Sequence, residues 1–207
     1  MPDMKSALLY GGVAIFHPFR GFYELKYEKR GSFKASLVFL ALYFISVVIE
    51  ETCTGYIFAS GEGRKFSLFV CLLKAVTPVL LFALSNWCLT LSLNGEGTLT
   101  QLVTAMCYAL IPLTIKNFLV TALSNFFSSD EALYMQLITA IALLWTGFLL
   151  LAAVMQTNQY SFARAVASSL LSIVVIGVIL LIILLCFDLV GQTVDFVVSI
   201  FKELSYR

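Results

Sequence analysis

Long apolar runs separated by short polar breaks organise this chain from residue 36 onward. Read with a window of about 19 residues, they place five spans, at 36–59, 66–91, 101–123, 133–155 and 166–190. Each reaches the roughly 18 apolar residues that cross a bilayer. Hydrocarbon offers no partner to backbone polar groups, so the spans are predicted to be helices. Strands of a membrane barrel would alternate in polarity over about ten residues, and residues 173–185 do not alternate at all. The breaks carry turn residues, among them Gly61-Glu62-Gly63 and Asn94-Gly95-Glu96-Gly97. Loops this short predict antiparallel neighbours.

The flanks are patterned differently. Residues 4–16 read either as a short interfacial helix or as a loop, and residues 19–30 interleave aromatics with charges. Phe22, Leu25 and Lys29 share one helical face and Glu24 and Glu28 another. This predicts an amphipathic helix on a leaflet, with tyrosines at headgroup level and basic residues near anionic lipid, or else an ordinary stop-transfer flank. Its candidate lipid or partner surface is Arg20, Phe22, Tyr23, Lys26, Lys29 and Arg30. At the other end Val194, Val197, Val198, Phe201 and Leu204 lie on one face, which predicts a second interfacial helix. The expected fold is an all-α integral membrane protein, a five-helix transmembrane bundle with short amphipathic N- and C-terminal helices. Its parts are a cytoplasmic N-terminal segment (1–35), a five-span domain (36–190) and an interfacial C-terminal helix (191–207).

Composition agrees with this pattern. Hydrophobic residues fill 60% of 207 positions and charged residues 12%, against about 45–50% and 25% in globular domains. A net charge of +1 gives no electrostatic case for nucleic acid. Lysines and arginines decide the threading. Lys5, Arg20, Lys26, Lys29, Arg30 and Lys34 precede the first span and Arg164 lies in the fourth loop, seven on one side against Arg64, Lys65, Lys202 and Arg207 on the other. The bias predicts a cytoplasmic N-terminus and an outside C-terminus in a cell membrane.

Candidate chemistry is sparse. The five cysteines have no C-x-x-C spacing and read as small packing residues, which leaves no metal or disulfide framework. The single histidine, His17, reads as a solvated turn residue beside Pro18. No nucleotide, zinc-protease or serine-hydrolase motif occurs, so neither an enzyme nor a cofactor is expected. The informative residues are the charges inside spans, each costing roughly 2.5–3.5 kcal/mol on insertion scales. Glu50, Glu51, Lys74, Lys116 and Asp188 converge on one layer in the outer half of the predicted bundle. Two readings compete: a polar cavity for a substrate or ion, and lysines that snorkel outward or pair with carboxylates to hold the helices together. Pro78 and Pro112 are candidate kinks. Gly61-Glu62-Gly63, Ala75 and Pro78 recur 34 residues later as Gly95-Glu96-Gly97, Ala109 and Pro112, an arrangement an inverted duplication would leave.

The ordered fragments resemble the Yip (Ypt/Rab-GTPase-interacting protein) domain family in its bacterial form. They are Pro18, Phe22, Glu24-Leu25-Lys26, Arg30-Gly31-Ser32, Gly95-Glu96-Gly97-Thr98, Tyr108-Ala109-Leu110-Ile111-Pro112, Tyr160-Ser161 and Arg164-Ala165. The resemblance implies a five-helix membrane domain with a cytoplasmic N-terminus and no known catalytic activity. Eukaryotic relatives work in vesicle trafficking, pair with one another and meet small GTPases through a longer cytosolic region than the segment before this first span. The expected function is a non-catalytic membrane scaffold or accessory subunit. Its expected partners are the lipid bilayer and other membrane proteins, such as transporter subunits, or further copies of itself. The alternative is a small channel or transporter built on Lys74 and Lys116.

Overall fold

A computed structural model describes residues 4–28, 31–55, 66–93, 95–128 and 131–205. Among these the chain is helical without strands: α1 (Met4–Phe16), α2 (Pro18–Tyr27), α3 (Phe33–Cys53), α4 (Leu68–Leu93), α5 (Leu99–Ala109), α6 (Ile111–Ser124), α7 (Ala132–Asn158) and α8 (Phe162–Ser205). Five segments are long and apolar enough to cross a membrane, namely Phe33–Cys53, Leu68–Ser92, Leu99–Ser124, Ala132–Asn158 and Phe162–Ser199. The α-helical five-span architecture read from the hydrophobic pattern is therefore present. The side on which α3 begins and α7 ends is called the near side below, and the opposite one the far side.

Local chemistry sets the helix ends. Ser32 caps α3 by accepting from the Lys34 N–H, and Thr98 opens α5 with a reciprocal capping box to Gln101. Pro18 and Pro112 occupy the first turns of α2 and α6, where a missing N–H costs nothing. Gln159 ends α7 in the left-handed region at φ 57. The third span, expected as one helix, breaks at Leu110, because proline at 112 cannot donate and its ring crowds the Tyr108 carbonyl. Its counterpart at the 34-residue offset, Pro78, stays inside the continuous α4, so the two prolines act differently. The Gly61-Glu62-Gly63 half of that similarity lies outside the described residues.

Three expectations change. The first span starts at Phe33 rather than 36, and α3 ends at Cys53, where Thr54 turns extended. Gly55 then meets the far-side end of α6, its N–H donating to Ser124 Oγ at 2.9 Å. The N-terminal segment does not lie alone on a leaflet. Helices α1 and α2 fold back on each other about His17 and dock against the bundle, with Ala7, Tyr10, Ala14, Phe22 and Leu25 sharing a core with Ala35, Ala105, Tyr108, Leu149 and Ala152. A Cβ on Gly21 would stand 2.7 Å from Ala14 Cα, so only glycine admits this crossing. The amphipathic pattern was real, but the apolar face meets small side chains of α5 and α7 instead of lipid.

The last span and the C-terminal helix, expected as 166–190 and 191–207, form one continuous helix of 44 residues. At 1.5 Å per residue α8 is about 66 Å long, twice the roughly 30 Å of bilayer hydrocarbon. Ala165, Ser168 and Ser172 of its first three turns are buried, whereas most of its described large apolar residues from Ile173 to Phe201 are exposed and Val175, Ile176 and Ile179 are half-buried.

Candidate functional site

Two polar constellations stand inside the apolar bundle, one toward each side. On the far side the predicted layer resolves into two ion pairs. Glu50 and Glu51 occupy the last turn of α3. Lys116 of α6 lies 2.9 Å from Glu50, with side chains 11% and 34% exposed. Lys74 of α4 pairs with Glu51, with side chains 41% and 23% exposed. Each lysine thus ties a different helix to α3. Asp188 does not join them: it lies on the exposed stretch of α8 and has no ion-pair partner among the described residues. Helix α8 leaves the bundle before reaching that layer, so the depth match did not become proximity.

Sequence reasoning missed the groups that complete this clamp. Asn117, beside Lys116 and 3% exposed, donates to Ser46 Oγ of α3 at 3.0 Å, and Asn125 donates to the Cys53 carbonyl at 3.1 Å. With Lys116–Glu50 and Gly55–Ser124 they form a ladder of polar links between α3 and α6. In apolar surroundings each such link removes an otherwise unsatisfied polar group, contributing on average about 0.6 kcal/mol. The adjacency of Lys116 and Asn117 within an apolar run was the available signal.

The near-side constellation was not anticipated as a site. Asn86 of α4 donates to Ser168 Oγ and Ser172 Oγ of α8, both at 3.1 Å, and Asn158 of α7 donates to Asn86 Oδ1 at 3.0 Å. All four residues are at most 1% exposed, so an amide network joins three spans in a dry environment. The turn at Gly95 and Gly97 closes over it. A Cβ at Gly97 would sit 2.1 Å from Asn158 Oδ1, and one at Gly95 would sit 2.4 Å from the Tyr160 hydroxyl. Asn158 Oδ1 and the Tyr160 hydroxyl have no hydrogen-bond partner among the described residues. Burial pushes the Tyr160 phenol above its ordinary range, opposed by the Arg164 guanidinium 5.8 Å from the ring centre.

The N-terminal hairpin is latched to this same turn. Lys26 reaches Glu96 at 3.3 Å, its side chain only 9% exposed, and packs over the Tyr27 ring. Glu24, 6% exposed, accepts from Arg20 Nε at 2.6 Å and from the Tyr10 hydroxyl at 2.9 Å. The Tyr108 hydroxyl donates to the Ala7 carbonyl at 3.0 Å. Of the expected lipid or partner surface, Phe22 is buried at 1% exposure and Lys26 is engaged, while Arg20 and Tyr23 are exposed. Lys29 and Arg30 lie outside the described residues.

The residues that carried the family resemblance thus meet in space. Lys26 meets Glu96, Leu25 packs on Gly31, and Tyr160 lies under Gly95. Among the described residues no group of three His, Cys, Asp or Glu is arranged to hold a metal ion. No curated protein and no solved structure matches the chain. The sequence model of the Yip1 domain matches residues 12–184, from within α1 to about the midpoint of α8. This chain, a multi-pass membrane protein, belongs to the Yip1 domain family.

Proposed function

We propose that the chain is a non-catalytic scaffold or accessory subunit of a cell membrane, with its N-terminus cytoplasmic and its C-terminus outside. The observation that carries this reading is α8. Most of its described large apolar side chains from Ile173 to Phe201 are exposed, far more surface than one bundle needs to close its own core. Within the membrane, lipid covers such a face, but about 66 Å of helix reaches past roughly 30 Å of hydrocarbon. Val194, Val198 and Phe201 continue the apolar face beyond that length. Another membrane protein or a second copy of this chain suits such a helix. The engagement of Lys74 and Lys116 with Glu51 and Glu50 supports it too. Both ammonium groups act as helix clamps in this reading, not as the lining of a path for ions. The lysine and arginine bias supports the orientation.

A photo-crosslinking residue placed at Val178, Phe187 or Val198 tests the proposal in native membranes. Protein adducts from these positions, identified by mass, are expected, with none from Cys107 inside the core. Lipid adducts alone at all three positions overturn it. Proteoliposomes of the purified chain are expected to pass no ions, and a flux abolished by Lys116→Leu would favour the channel instead.

A further inference from the structure

The hairpin's neighbours fix its depth. The Phe19 ring stacks edge-on against Phe148 of α7 at 5.8 Å, and Gly11 packs on Phe39 of α3 and Ile111 of α6. Phe148 precedes Met155, the last apolar residue of α7, by seven positions, or ~10 Å at 1.5 Å per residue. At the other end of α2, Lys26 meets Glu96 in the near-side turn. So α2 climbs alongside α7 from within the apolar band to its edge, and α1 descends beside it. The side chains follow that gradient. Leu9, Val13, Phe16 and Phe19 are exposed along the hairpin and at its tip, while Tyr23 and Tyr27 stack on each other near the edge, as interfacial aromatics do. Arg20, nearer the tip, directs Nε one turn back toward the near side onto Glu24, the direction a snorkelling side chain takes. The turn also suits hydrocarbon. The His17 N–H donates to Val13 O at 2.9 Å and its carbonyl accepts from Gly21 at 2.7 Å, so backbone groups of the bend remain paired where water is absent.

We propose that the α1–α2 hairpin is a re-entrant wedge, inserted into the acyl chains of the near-side leaflet alone and favouring a membrane convex on that side. The five spans occupy both leaflets, whereas the hairpin adds two helices, each about 10 Å across, to one. The inference rests on the proposed orientation only where that leaflet is called cytoplasmic.

The test uses the full chain in liposomes, with the five native cysteines replaced and Phe16→Cys or Tyr27→Cys introduced. Phe16 is 78% exposed and Tyr27 46% exposed, so in water the residue-16 thiol is the more reactive. Insertion reverses the order: a membrane-impermeant maleimide added to both sides labels residue 16 about tenfold more slowly than residue 27, and denaturation in SDS equalises them. Equal labelling in the membrane overturns insertion. The contrast between the two sites does not depend on which side is cytoplasmic, so failure of the orientation proposal leaves it unchanged. For the wedge, protein density per lipid is compared on vesicles of small and large radius bearing the near side outward. Enrichment on small vesicles, lost in Leu9→Ser/Phe16→Ser while the fold is retained, is expected. Equal density on both overturns the wedge.

Discussion

Removing Lys116 is predicted to unfold the bundle more readily than removing Lys74, although the two residues looked equivalent in sequence. The Lys116 ammonium lies 2.9 Å from Glu50, and at an effective dielectric near 20 the gross attraction is about 6 kcal/mol. Desolvation of both ions cancels most of this, so the pair as a whole adds little over an apolar replacement. The asymmetry appears when one member is lost. Glu50→Leu leaves Lys116 only 11% exposed and without its counter-ion, and Lys116→Leu leaves Glu50 at 34% exposure. Breaking a buried pair costs about 3–5 kcal/mol; the partial exposure of Glu50 puts Lys116→Leu at the lower end, near 3. Lys74→Leu leaves Glu51, 23% exposed, but Glu51 keeps a further interaction besides Lys74, so this substitution is expected to cost under ~1 kcal/mol. Reversible unfolding in mixed micelles, followed by helical circular dichroism against SDS fraction, measures each value. The double variant Glu50→Leu/Lys116→Leu should return to within ~1 kcal/mol of the parent, a coupling of several kcal/mol. Additive single effects, or a Lys74→Leu cost equal to that of Lys116→Leu, refute the reasoning.

Three further outcomes are expected. Gly97→Ala places a Cβ 2.1 Å from the buried Asn158 Oδ1, and should cost about 1–3 kcal/mol as overpacking does, read in the same unfolding assay. Asn86→Leu strands the Asn158 amide and the Ser168 hydroxyl, both at most 1% exposed, while Ser172 keeps its bond to the Ser168 carbonyl; about 2 kcal/mol or more is predicted, and adding Asn158→Leu should not double the loss. Phe22→Ala empties a site 1% exposed between hairpin and bundle; the hairpin should undock, seen as faster proteolysis after Lys26 while the transmembrane core stays resistant.

How much of this could be read from the chain depends on which solvent each residue meets. The spans were legible because hydrocarbon imposes a length and a composition, and α4 and α7 match their expected limits within a few residues. Charged residues inside them were legible for the same reason, and Glu50, Glu51, Lys74 and Lys116 do come together. Depth, however, is one coordinate. Asp188 shares the expected depth and still stands off the bundle, because nothing in its apolar surroundings states which face of α8 is packed. The amide network was silent for a related reason: Asn86, Asn158, Ser168 and Ser172 are common polar residues, and only their shared burial makes them one network.

The hairpin shows where hydrophobic patterning gives an incomplete answer. An apolar face on a charged segment asks for any dry surface, and a leaflet satisfies that demand as well as a protein does. What decides is shape. Gly11 and Gly21 let α1 approach Phe39 and α2 within distances any Cβ would forbid, and Ala105, Ala152 and Ala153 keep the receiving surface shallow. Once docked, α1 and α2 have two dry faces to satisfy: an inner one closed by the bundle and an outer one carrying Leu9, Phe16 and Phe19. A segment lying flat on headgroups would need only the first. The second face, at the level of Phe148, is the physical reason to place the hairpin within the leaflet.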